Sequence, residues 1–117
     1  PLIAAIHAGQ ASTEAQITAK TFQAIQKQFN LQDNFTIWLG PAICKNCYQI
    51  DPKSNLHYDL INENKKQLQQ VLDLNKSKII ETKLCTSCNN DLFYSYRKEK
   101  TAQRIWSGIM IKEKKKC

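Results

Sequence analysis

No apolar run in this 117-residue chain approaches the ~18 residues that a membrane span needs, so neither a transmembrane helix nor a membrane partner is expected. The opening stretch PLIAAIHAG has no basic residue ahead of its apolar run, and that run is too short for a secretory signal peptide. An initiator methionine is missing as well. The chain begins at Pro1, so either a methionine has been removed or this is a piece of a longer protein. There is no internal repeat and no linker. Five cysteines are an odd number, and too sparse for a secreted disulfide scaffold. Without a secretion signal they point to the reducing cytoplasm, where paired CxxC units serve metal binding, redox chemistry or simple buried packing. A prenylation motif needs residues after its cysteine, so none is expected at Cys117, which is expected to be an exposed, free thiol.

What is present is ordinary for a globular chain. Apolar residues make up 42% and charged residues 23%, within the usual range for a packed domain. A chain of this length buries roughly two-thirds of the surface its unfolded form exposes, so one domain with a real core is expected. The net charge of +7 permits a polyanionic partner. However, four lysines against one glutamate fall in the tail KEKKKC, residues 112–117, and the remainder carries only about +4. A solvated lysine tail is the expectation, and nucleic acid is disfavoured as a partner.

The pattern along the chain alternates strands and helices. LIAAI (2–6) is a short apolar run that reads as a buried strand. Thr13 with Gln16 three residues on matches a capping box. Thr18, Phe22, Ile25 and Phe29 then recur at helical spacing and predict one amphipathic helix over about 13–29. FTIWL (35–39) is a second buried strand, stopped by Gly40-Pro41. Residues 47–50 form a brief extended piece closed by the turn DPKSN. Asp59 reads as an N-cap, and Leu60, Ile61, Asn64, Leu68, Val71 and Leu72 predict a helix over about 60–73. KIIETKL (78–84) is a third strand, DLFYSYR (91–97) is ambiguous between helix and strand, and RIWSGIMI (104–111) is a last strand. The fold class is therefore α+β, a mixed layered domain with helices packed on sheets. His57 is expected on the surface. Tyr48, Phe93, Tyr94 and Tyr96 are expected in the core.

The chemistry is carried by CKNC (44–47) and CTSC (85–88). A two-residue spacer lets both sulfurs of a pair reach one tetrahedral ion at about 2.3 Å. The 37 residues between the pairs exceed the 15–20 of a common zinc ribbon and contain a whole predicted helix. Both pairs follow predicted strands, and neighbouring strands in one sheet would bring Cys44, Cys47, Cys85 and Cys88 together. A closed structural zinc site, buried thiols and a labile thiol cluster all remain open. A thioredoxin-like site is disfavoured, because neither pair is followed at once by a clear helix that would lower a thiolate pKa.

Four stretches occur in a telling order: HAG (7–9), LGPAICKNCYQI (39–50), HYDLINENKKQL (57–68) and CTSCNNDLFYSYRKEKTAQR (85–104). Their order resembles the C-terminal part of the bacterial laccase-domain, or polyphenol-oxidase, family of zinc-dependent purine nucleoside phosphorylases. In that family the segments read HAGWRG, GPxIGxCCYEV, a helix start containing DL, and CT…FFSYRR. The resemblance runs from about residue 2 to 111. It makes 1–111 the C-terminal part of such a domain, within a larger α-β-β-α sandwich, with 112–117 as a basic tail.

It implies purine nucleoside and phosphate as partners, zinc as cofactor, adenosine or inosine phosphorolysis, and also adenosine deamination. The family's metal is held by two histidines and a cysteine, and His7 matches one of those histidines. The other two ligands lie in upstream segments that this chain does not have, so a preceding segment is expected to complete the enzyme; a homo-oligomer is the other expected assembly. Cys47-Tyr48 matches the family's CY and Cys85-Thr86 its CT, whereas Cys44 and Cys88 are less general features. Gln10-Ala11-Ser12 stand where the family has Trp-Arg-Gly. Arg97 matches a family arginine, with a substrate-binding or structural role. Two other readings stand beside this one: a zinc-stapled basic module that contacts nucleic acid, and an inactive, truncated relative.

Overall fold

The structure is a computed structural model and describes residues 1–115. The reading of Cys117 as a free exposed thiol lies outside the described residues. The fold is α+β. In chain order it comprises α1 (Gln10–Glu14), α2 (Ile17–Phe29), β1 (Thr36–Leu39), a 3-10 turn (Lys45–Cys47), β2 (Gln49–Asp51), β3 (Leu56–His57), α3 (Leu60–Val71), β4 (Lys78–Glu81) and α4 (Tyr96–Glu99). β1 and β4 pair in parallel, and β2 and β3 form a small antiparallel hairpin.

The predicted helix over 13–29 is two helices. Gln16 takes a left-handed conformation (φ 65°) and breaks the chain between α1 and α2. Thr13 is therefore not an N-cap; it lies inside α1 and is fully buried. The break is held from outside, by α3. Asn64 donates from Nδ2 to Thr13 Oγ1 at 3.0 Å and accepts at Oδ1 from Thr18 at 2.6 Å. Gln67 donates from Nε2 to the Thr13 carbonyl at 2.7 Å and accepts from the Ala19 N–H at 3.1 Å. A helix start leaves its first N–H groups without partners, and Gln67 supplies one of them. Among the described residues no buried side-chain nitrogen or oxygen lacks a hydrogen bond. Asn64→Ala removes these two contacts and the amide's third bond, to the Leu60 carbonyl at 2.8 Å, and leaves the Thr13 and Thr18 hydroxyls buried, so it should cost about 3 kcal/mol. Urea denaturation measures this; a loss under ~0.5 kcal/mol would mean that the junction is held by packing alone.

α3 matches its expected face. Asp59 accepts from the Asn62 N–H at 3.2 Å as the N-cap. Asn64, Leu68 and Leu72 are buried. Phe22, Leu68 and Leu72 form the core, against which Ile6, Phe35, Ile37, Leu39, Val71 and Ile79 pack. The rings of Phe22 and Phe35 meet edge to face with centroids 5.1 Å apart, a favoured aromatic geometry. Ile37, Leu39 and Ile79 alternate with the exposed residues Thr36, Trp38, Lys78 and Ile80, so the helices cover one sheet face and leave the other bare.

Three expectations are corrected. Residues 2–6 and 104–111 are not strands: neither segment joins a ladder, and side chains that would need a buried sheet are largely exposed, Trp106 at 94% and Met110 at 72%. A strand exists only where its N–H and C=O groups find a partner strand, and β1 and β4 pair only with each other. β4 ends at Glu81 rather than Leu84. Tyr94 and Tyr96 are exposed rather than core, because the chain near them forms only the short α4.

Candidate functional site

The parallel pairing of β1 with β4 brings the two cysteine pairs together. The ladder runs from Thr36↔Lys78 to Leu39↔Glu81, so each residue lies beside the one 42 positions later. It continues past the strands through the Thr82 N–H to the Leu39 carbonyl at 3.0 Å, the Ala42 N–H to the Leu84 carbonyl at 3.2 Å and the Thr86 N–H to the Ala42 carbonyl at 3.3 Å. Lys83, left-handed at φ 58°, inserts one residue, and the ladder ends on a bridge between Ala42 and Cys85. Cys44 and Cys47 are each 41 residues before Cys85 and Cys88, close to that offset.

The four sulfurs lie within 4.8 Å of one another, and all four cysteines are free. Cys47 Sγ and Cys88 Sγ are 3.5 Å apart. Around a tetrahedral ion with bonds of about 2.3 Å the sulfurs would be about 3.8 Å apart, so the cluster fits one ion with small adjustments. Cys85 is the buried member and Cys88 the exposed one. Burial works against a charge on Cys85, but the N–H groups of Cys44 and Cys88, each 3.3 Å from its sulfur, and the neighbouring thiols draw its pKa down to about 6. Cys44 is pushed up, chiefly by burial. Cys88 is pushed up to about 12 by hydrogen bonding with the Cys47, Cys85 and Cys44 sulfurs and by the charge on Cys85.

The loop carrying Cys44 and Cys47 is braced by His57, whose Nδ1 lies 2.9 Å from the Lys45 carbonyl and whose Nε2 lies 3.2 Å from Asn55 Oδ1. Sequence reasoning left His57 as a plain surface residue. No spacing signal marks such a contact, because the hairpin of β2 and β3 creates it.

His7 is exposed and opens on a separate cleft of about 580 Å³, lined also by Gly40, Pro41, Tyr94, Tyr96 and Arg104. Arg104 sits with its Cζ 5.9 Å from the Tyr96 ring centre and donates to the carbonyls of Thr101 and Gln103. The sequence reading passed over Tyr94, Tyr96 and Arg104 as site residues, since aromatic spacing suggests core. Arg97 does not line this cleft. Its Nη1 donates to the Gln49 carbonyl at 2.6 Å and its guanidinium lies over the Tyr48 ring, 5.1 Å from the centre, which fastens α4 to β2.

A catalytic metal would need about three protein ligands and an open position. The cleft at His7 offers one imidazole and no cysteine, aspartate or glutamate among the described residues. The tetracysteine cluster is the one group of three or more histidine, cysteine or acidic side chains among them arranged to hold a metal. The described residues thus do not by themselves fit a metal at His7.

Helices on one face of a small parallel sheet, a thiol cluster where its strands end and a histidine cleft define an α+β protein with two candidate sites. The model of the family described as multi-copper polyphenol oxidoreductase laccase matches residues 1–112, and the chain belongs to that family. Among similar curated proteins, a purine nucleoside phosphorylase of Synechocystis sp. is 27% identical over 92% of this chain and 55% of its own length. One of Shigella flexneri is 25% identical over 93% and 51%, and one of Campylobacter jejuni 26% identical over 96% and 54%. The chain spans about half the length of the curated relatives it matches. No solved structure matches it significantly. Among the described residues no helix is long and apolar enough to cross a membrane.

Proposed function

We propose that residues 1–111 act as the C-terminal part of a purine nucleoside phosphorylase, in which phosphate attacks C1′ of adenosine or inosine and the purine base departs. The observation that carries this reading is that three relatives named purine nucleoside phosphorylase each match more than nine-tenths of the chain. The bare sheet face supports it: Trp38 and Ile80, paired across the strands, are 59% and 41% exposed. Parallel sheets are normally covered on both faces, and an upstream half would cover this one as in an α-β-β-α sandwich. Adenosine deamination is a second activity we assign to the same centre, in the cytoplasm.

In this proposal zinc is the cofactor and His7 supplies one imidazole; when bound, such an ion polarises a substrate oxygen or a water. The remaining ligands come from outside this chain, from an upstream segment. Arg104 offers the cleft a cation that suits phosphate, and the Tyr94 and Tyr96 rings offer faces for a purine. Arg97 orders α4, and with it the wall that Tyr96 forms.

The test is phosphorolysis of inosine, followed as hypoxanthine release. The 117-residue chain alone should be at most feebly active, and a chain that includes the upstream segment should be active and inhibited by chelator. In that completed protein His7→Ala should lower kcat/KM at least a hundredfold with the fold retained, about 3 kcal/mol of transition-state stabilisation. Prompt, chelator-sensitive release by the short chain would show the ligand assignment to be wrong. Steeply salt-dependent binding of RNA or DNA without phosphorolysis would favour the nucleic-acid module instead.

A further inference from the structure

We propose that Cys44, Cys47, Cys85 and Cys88 hold one zinc ion in a closed structural site, separate from the His7 cleft, that staples the end of β1 to the end of β4. The donor set is four thiolates, the combination that suits tetrahedral zinc or iron. Sulfurs within 4.8 Å of one another leave room for a single ion and not for a multi-metal cluster. Four protein donors fill the tetrahedron, so no position remains for water or substrate, and the site holds structure rather than catalyses. No cysteine lines the His7 cleft.

The surroundings suit a bound cation. The N–H groups of Cys44 and Cys88 both donate to Cys85 Sγ. Backbone N–H groups aimed at a ligand sulfur orient the thiolate and spread its charge. His57 holds the Lys45 carbonyl, so the first pair sits on a braced turn.

Plain packing does not explain the cluster. Unligated cysteines are usually buried as small apolar groups, yet Cys88 is exposed and Cys44 and Cys47 are only half-buried. A redox pair is also a poor description. Cys44 is followed by a 3-10 turn of three residues and Cys85 by a turn, so neither thiolate has the helix N-terminus that activates a CxxC nucleophile.

Elemental analysis of the purified 117-residue chain should find about one zinc per chain. His7→Ala should leave that content unchanged, Cys88→Ser should lower it by more than half, and Cys88→His should keep it, because imidazole also binds zinc. Cobalt(II) added to the stripped, reduced chain should give thiolate charge-transfer and tetrahedral ligand-field bands that saturate at one equivalent. The Cys88→His chain should show weaker charge transfer at the same stoichiometry; this keeps the test decisive if Cys88→Ser fails to fold. Iron or copper in place of zinc, absence of cobalt bands, a disulfide among these cysteines in place of metal in the protein as purified, or zinc lost with His7→Ala but kept in Cys88→Ser would each overturn the assignment.

Discussion

Leu68→Ala should destabilise the chain by about 3.5 kcal/mol, in the middle of the range for buried leucines. Leu68 has no exposed surface and sits in the cluster with Phe22 and Leu72, against which Ile37, Leu39 and Ile79 of the sheet pack. The loss combines the transfer of three carbons with a cavity that helices tied by Asn64 and Gln67 cannot easily close. The core is small: among the described residues the buried apolar ones are Ala19, Phe22, Leu68, Leu72 and Cys85. A domain is stable by only about 5–15 kcal/mol, so this one truncation takes a large share. In urea the midpoint should fall by roughly 2 M at unchanged slope. A shift under ~0.5 M would mean that α3 can move in to fill the gap. Because the same contacts hold β1 beside β4, the cobalt affinity of the cysteine cluster should weaken in parallel.

The meeting of the two cysteine pairs was legible in the sequence because two kinds of information agreed. Each pair follows a β-branched run, and both runs join one parallel sheet. The ladder offset of 42 between β1 and β4 nearly equals the cysteine spacing of 41; Lys83, turning left-handed, widens the offset to 43 at the Ala42–Cys85 bridge, and the loop residues after Ala42 take up the difference. The face of α3 was legible for a similar reason: its apolar spacing and its Asp59 cap are local signals.

The break at Gln16 was not legible. Glutamine carries no turn preference like that of glycine or asparagine, and the conformation is held by Asn64 and Gln67, about fifty residues away. Residues 2–6 and 104–111 have strand-like composition but no ladder partner among the described residues, and apolar runs report burial rather than pairing. The His7 cleft was half legible. The histidine stood out by its motif, whereas Tyr94, Tyr96 and Arg104 reach the cleft only through the path of the chain around α4.

Stripping the metal from the cysteine cluster should lower the melting temperature by on the order of 15 °C, the largest stability change expected for this chain under mild conditions. Cys44 and Cys85, like Cys47 and Cys88, are 41 residues apart, and all of α3 and β4 lies inside the loop they close. Cross-linking a loop of this length restricts the unfolded chain by about 4 kcal/mol in the chain-entropy model. A domain near this size loses about 4 °C of melting temperature for each kcal/mol. Stripping also leaves four thiols crowded together, with the charge favoured at Cys85 no longer matched by a cation. Because ligand binding to the folded state is itself folding free energy, added zinc should restore the transition in proportion to its occupancy. Differential scanning calorimetry, in the presence of a reductant and with or without a strong chelator, measures the change. Cys88→Ser should melt low with or without chelator, which separates loss of the staple from any direct effect of the chelator. A shift of under ~3 °C in the parent chain would mean that β1 and β4 hold their register without the ion, and the cluster would then lose its role as a staple even if it binds zinc.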